Sequence, residues 1–149
     1  MKKITRLVIM VFVAISLTLS CTNNSNDLTT GIPEMDEQHQ NIKQTLEELI
    51  ATVEANKSRE EINEVLLRLV DIVVSHFDYE EENFERIDYP DKSDHIAEHR
   101  ELLSNVELFY GDFIEGYEVE VDLFLKYLQN WVVSHILHYD KEFAELLKK

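Results

Sequence analysis

From Ile32 onward, apolar residues recur at steps of three and four, the period of an α-helix with one buried face. Met35, Ile42, Leu46, Leu49 and Val53 lie on one such stripe, which stops near Asn56-Lys57. Ser58, with Glu61 three residues later, reads as a capping box that opens a second helix. The inward face of that helix carries Ile62, Leu66, Leu69 and Val73. Tyr89-Pro90 closes the segment, because the residue before a proline is pushed out of the α region. A third helix is expected from Ser93 or Asp94 to Tyr110, with Leu102, Val106 and Phe109 inward. Gly111 and Gly116 then bracket a loop, or extended helix ends, before a fourth helix that starts near Val119 and carries Val121, Leu125, Leu128 and Phe143. No stretch alternates with the two-residue period of a strand. Four helices of roughly 20 residues with short connections predict an all-α fold, an antiparallel up-down-up-down four-helix bundle, over residues 31–149.

The first 30 residues follow another pattern. Lys2, Lys3 and Arg6 are followed by Leu7 to Ser20 without a charge. As a helix these residues would rise only about 21 Å, short of the roughly 30 Å of a bilayer's hydrocarbon core. Residues 1–20 therefore read as a secretory signal peptide. They end in Thr18-Leu19-Ser20-Cys21, which resembles the lipobox of bacterial lipoproteins, where a small residue precedes a cysteine that is lipidated. Thr18 stands where an aliphatic residue is usual. Residues 21–30, CTNNSNDLTT, read as a polar tether between a membrane anchor at Cys21 and the folded body. The chain is accordingly expected to be exported and held at the bacterial cell envelope, on the periplasmic side or the cell surface.

The helical phases become informative when the polar residues are placed on them. His39 falls four after Met35 and three before Ile42, inside the first apolar stripe. His76, three after Val73, and Glu80, one turn further, continue the second; His95 and His99, four apart, lead into Leu102 on the third. On the fourth, His135 lies seven after Leu128 and one turn beyond Trp131, with Asp140 five residues later. Five residues of regular helix turn about 500°, some 140° away from His135, so Asp140 joins the group only through a widened or bent turn between 135 and 140. His138 is expected at the surface or a rim. A single histidine on an apolar face is ordinarily a core or boundary residue. Five imidazoles and two carboxylates in one dry interior would cost several kcal/mol for each unpaired charge, and metal ions offset that cost, since both groups ligate iron, zinc or manganese. Seven donors are too many for one ion but suit two. With both carboxylates and one oxo or hydroxo group shared, three imidazoles complete six-coordination at one ion, and the other two leave the second ion with an open position. Trp131, Val132, Phe77, Phe84 and Ile136 are expected to line the centre, Val132 closest to the open position because it lies one turn before His135.

Composition narrows the partners. The 149 residues carry 14 Lys and Arg against 30 Asp and Glu, a formal charge of −16, which repels phosphate backbones and excludes nucleic acid as a partner. A single cysteine excludes an intrachain disulfide and cysteine-rich zinc or iron–sulfur sites.

The segments GIPEMDEQH (31–39), HFDYEEENF (76–84), HIAEH (95–99) and WVVSHILHYD (131–140), one per helix and in this order, resemble the hemerythrin family and in particular the single-domain bacteriohemerythrins. The resemblance runs from about Gly31 to Leu147, nearly all of the chain after the tether. It implies that His95, His99 and His135 bind one iron, His39 and His76 the other, and that Glu80 and Asp140 bridge them. It also implies an oxo- or hydroxo-bridged di-iron centre with reversible O₂ binding at the iron held by two histidines, in a carrier, store or scavenger rather than an enzyme. Two other classes remain: a di-iron enzyme acting on peroxide or nitric oxide, and an oxygen or iron sensor or iron-handling module. Di-iron carboxylate oxidases use Glu-x-x-His units, and this chain contains none.

Overall fold

The structure, a computed structural model, describes residues 28–149. The signal peptide, Cys21 and its lipidation, and most of the tether lie outside the described residues. Four long helical segments follow one another: α1 (Pro33–Glu54), α2 (Arg59–Ile87), α3 (Lys92–Glu115), and a last segment made of α4 (Val121–His135), a π-helical turn (Ile136–Asp140) and α5 (Lys141–Leu147). Each packs on the next in the chain, and α4 closes the ring on α1, which is the up-down-up-down bundle. No described helix is long and apolar enough to cross a membrane.

Local chemistry sets the boundaries. Proline occupies the first turn of α1, where its missing N–H costs nothing. Ser58 and Glu61 form the reciprocal capping box: the Glu61 N–H donates to Ser58 Oγ at 3.2 Å and the Ser58 N–H donates to Glu61 Oε2 at 3.0 Å. Asp88, in the left-handed region, ends α2 one residue before Tyr89-Pro90. The expected end of α3 at Tyr110 is corrected: the helix runs through Gly111 to Glu115 and stops at Gly116, whose φ of 85° is left-handed. Tertiary contacts draw out this last turn. Phe113 is buried, and the Arg59 guanidinium sits 4.8 Å from its ring centroid while donating to its carbonyl. Phe109 stacks face to face on Phe124 of α4 at 3.7 Å.

Two apolar clusters fill the interior. The larger includes Ile42, Leu46, Leu66, Leu69, Val73, Phe77, Leu102, Val106, Leu125 and Leu128. The smaller, at the end where the chain enters α1, holds Met35, Phe84, Tyr89, Phe143 and Ala144. Phe77 belongs to the first and Phe84 to the second, so the intervening face of α2, with His76 and Glu80, falls in the layer between them.

Candidate metal centre

That layer is polar and closed to water. His39, His76, Glu80, His95, His99, His135 and Asp140 are all buried, Glu80 and Asp140 completely. Asp140 reaches it because the helix widens: Ile136–Asp140 is π-helical, and i→i+5 hydrogen bonding fits the five-residue step from His135 into roughly one turn. His138, within the same turn, is exposed and contacts the Ser134 carbonyl at 2.7 Å.

The donor atoms form two sets, each within 4.8 Å of one another: Glu80, His95, His99 and His135, and His39, His76 and Asp140. Every imidazole turns Nε2 inward. His95 and His99 Nε2 lie 3.1 and 3.2 Å from His135 Nε2, and His39 Nε2 lies 3.2 Å from His76 Nε2. The carboxylates span the sets. Asp140 Oδ1 is 3.0 Å from His135 and 3.2 Å from His95, while its Oδ2 is 3.0 Å from His39 and 3.7 Å from His76. Glu80 Oε2 is 3.3 Å from His99, 3.4 Å from His95 and 3.7 Å from His76. All four of these carboxylate oxygens are buried without a hydrogen-bond partner.

Protons on the imidazoles neutralise this cluster in part. Burial disfavours charge on His95, yet Asp140 and Glu80 outweigh it and hold its pKa up at about 9. His76 is raised against burial by the same two carboxylates. His135 is lowered, by burial first, with His95 and His99 adding to the effect against Asp140. Burial and mutual repulsion push Glu80 and Asp140 up, but the surrounding imidazoles overcome this and keep both below the usual carboxylate range. Raised imidazoles therefore face two ionised carboxylates, and these side chains form a donor set that fits a pair of divalent cations, which would bind in exchange for the imidazole protons.

Aromatic rings wall the centre. Phe77 stacks on His99 at 3.7 Å, and His135 is held between Trp131 at 4.2 Å and Tyr139 at 5.3 Å. Trp131, Val132, Phe77 and Ile136 line a cavity of ≈ 10 Å³ beside the donor atoms, together with His39, His76, His135 and Asp140. Phe84 packs against the centre from its other side, 4.8 Å from His95 and edge-on to Phe143 in the smaller core cluster, and does not line the cavity. Three further residues surround the site. The His76 Nδ1–H donates to Gln38 Oε1 at 2.9 Å, and the His99 Nδ1–H donates to Glu81 Oε1 at 3.0 Å. Tyr139 is the third. Gln38 and Glu81 are each next to a donor in sequence but serve a histidine on another helix, so no spacing within one helix points to them.

The family described as "Hemerythrin HHE cation binding domain" matches residues 30–147. A bacteriohemerythrin of Stenotrophomonas maltophilia is 30% identical over 123 residues, covering 83% of this chain and 79% of that protein. One from Methylococcus capsulatus is 33% identical over 119 residues, 79% of this chain and 89% of that protein. A hemerythrin-like protein of Naegleria gruberi is 28% identical over 125 residues, 84% and 92% of the two chains. The crystal structure of a wild-type hemerythrin superposes with a TM-score of 0.74 at 32% identity, covering 80% of this chain and 92% of that one.

Proposed function

The chain belongs to the hemerythrin HHE cation-binding family, and on that premise we propose that it is a non-haem di-iron protein that binds O₂ reversibly. In this reading His95, His99 and His135 hold one iron, His39 and His76 hold the other, and Glu80 and Asp140 bridge the pair. When bound, the two ferrous ions supply the electrons that O₂ draws on and returns on release. The protein's own side chains position, seal and admit.

The observation that carries this reading is the cavity beside the two-histidine set. Its size is on the order of a single water-sized molecule, and apart from the donors themselves only Ile42, Val73, Phe77, Trp131, Val132 and Ile136 line it. Outside the donor set, Trp131 with its indole N–H is the one polar-tipped residue of that lining and the rest are aliphatic or phenyl, which suits a small apolar gas over water. A wider groove of ≈ 420 Å³ between α1 and α4 shares His39, Val132 and Ile136 with this cavity, which makes Val132 and Ile136 the partition between site and surface. Five imidazoles against two carboxylates also form a nitrogen-rich set that stabilises high-valent iron less than a carboxylate-rich one, which favours binding over oxidation.

The location in this reading is the cell envelope, with a lipid on Cys21 and the polar tether carrying the bundle away from the membrane. The basic start, apolar run and small residue before the cysteine support it.

The test is spectroscopic. The anaerobically reduced, iron-loaded protein should develop a visible ligand-to-iron charge-transfer band on exposure to O₂ and lose it on deoxygenation. Irreversible oxidation of protein carrying two irons would refute carriage, and steady turnover of peroxide or nitric oxide would establish an enzyme in its place.

A further inference from the structure

We propose that Glu81 and Gln38, neither of them among the inward-facing donors, rank the two halves of the centre: Glu81 makes the three-histidine half the tighter and first-filled, and Gln38 leaves the two-histidine half weaker and filled second. The proposal rests on the two-ion reading above and needs nothing from O₂.

The outer nitrogens differ between the two halves. An imidazole that turns its Nε2 lone pair inward carries its proton on Nδ1, and the acceptor for that proton fixes the ring's tautomer and tunes its basicity. Of the five inward histidines, His39, His95 and His135 have a buried Nδ1 without a partner. Only His99 and His76 have one, and they belong to different sets. The two acceptors match in distance, 3.0 and 2.9 Å, but differ in charge. A carboxylate that accepts N–H pulls on the proton and pushes electron density to Nε2, and it adds a negative charge to the half it serves. An amide oxygen orients the ring and does no more. Glu81 therefore strengthens a half that already has the additional imidazole, and His99 is also pinned flat against Phe77, with 9° between the rings. Gln38 serves the half whose three donors, His39, His76 and Asp140, all border the cavity, while of the other half only His135 does so. Weaker donors in the Gln38 half leave its ion more open to an incoming ligand. Glu81 is 38% exposed, so its charge can be removed without opening a void in the core.

Titration of the metal-free full-length protein with Zn²⁺ tests this, with ¹⁵N shifts of the imidazoles to report which histidines bind and a competing chelator to give the affinities. The first equivalent should shift His95, His99 and His135, and the second His39 and His76. Glu81→Gln keeps an acceptor and removes the charge; it should weaken the first ion by ~10-fold or more and leave the second in place. Gln38→Glu should tighten the second ion and narrow the gap. Both metal-free variants should melt with the wild type, separating ligand tuning from folding. Simultaneous filling of the two sets in the wild type, or an unchanged first affinity in Glu81→Gln, overturns the ranking while the two-ion reading stands. A wild-type protein that takes up fewer than two ions overturns both.

Discussion

In the proposed reading, access to the centre is decided at Val132. It faces the outer groove and the inner cavity, and its place three residues before His135 puts it over the donors without making it one. Replacement by Phe adds a ring where there is room for little more than a methyl group, and close-packed interiors do not absorb such volume freely. Val132→Phe should leave the iron content unchanged and slow O₂ association by ~10-fold or more, because the only change is the plug between groove and cavity. Stopped-flow mixing of the ferrous variant with O₂ checks this, and an unaltered rate would place the route elsewhere. Phe84 makes the contrasting case: it packs on His95 away from the cavity, and its loss should act on stability before it acts on gas.

At the scale of elements, the entry to α1 shows how the tether is joined to the site. Thr30 donates to Asp36 Oδ1 from its N–H at 2.6 Å and from its hydroxyl at 2.8 Å, and the Gly31 N–H donates to Oδ2 at 3.1 Å. Gly31 turns the chain with a φ of 78°, a conformation that costs a side-chain-bearing residue strain. Partial burial would raise the Asp36 pKa, but these donors outweigh it and hold the carboxyl below its ordinary value. A carboxyl whose folded pKa is depressed stabilises the fold above its unfolded pKa and loses that contribution as pH falls through the folded value. Asp36→Asn should therefore be less stable than the wild type by ~1 kcal/mol at pH 7, a modest figure because the group is partly exposed. The gap should close below about pH 4. Urea unfolding of the two proteins across pH gives the comparison, and a gap independent of pH would show that the ionised carboxylate is not what clamps Thr30. The π-turn is the other element-level device. The six positions from His135 to Asp140 include one more residue than a same-face spacing in a regular helix requires, and the π-turn takes up the excess.

For the whole molecule, bound ions would tie the bundle together in the proposed reading, since donors from all four helical segments meet at the centre and its buried carboxylates are costly without a partner. Removal of metal by a chelator should lower the melting temperature by ~10 °C or more relative to the saturated protein, as calorimetry would show; equal melting with and without metal would mean that the ions contribute nothing to the fold. The proposed anchor is tested at the same scale: Cys21→Ser should move the protein from the membrane fraction to the soluble one, and an unchanged distribution would remove the lipid from the account. The helical stripes, the Ser58–Glu61 cap and the inward phases of His39, His76, Glu80, His95, His99 and His135 were legible in the chain itself, because each depends on residues three or four apart on one helix. Whether α3 continued past Gly111 or broke into a loop could not be decided along the chain, because Arg59 and Phe124 hold that region from other helices. Nor were the roles of Gln38 and Glu81, or the side on which Phe84 lies, legible there. The phase of Asp140 showed only that a regular helix could not deliver it; the π-turn that does so is set by packing at both ends. What the sequence by itself determined is which side chains face inward along each helix, since that is a matter of local period. Which of them meet, in which sets and behind which partition, was decided by the tertiary structure alone, since the relative register of four helices follows from how their faces interlock and not from the spacing along any one.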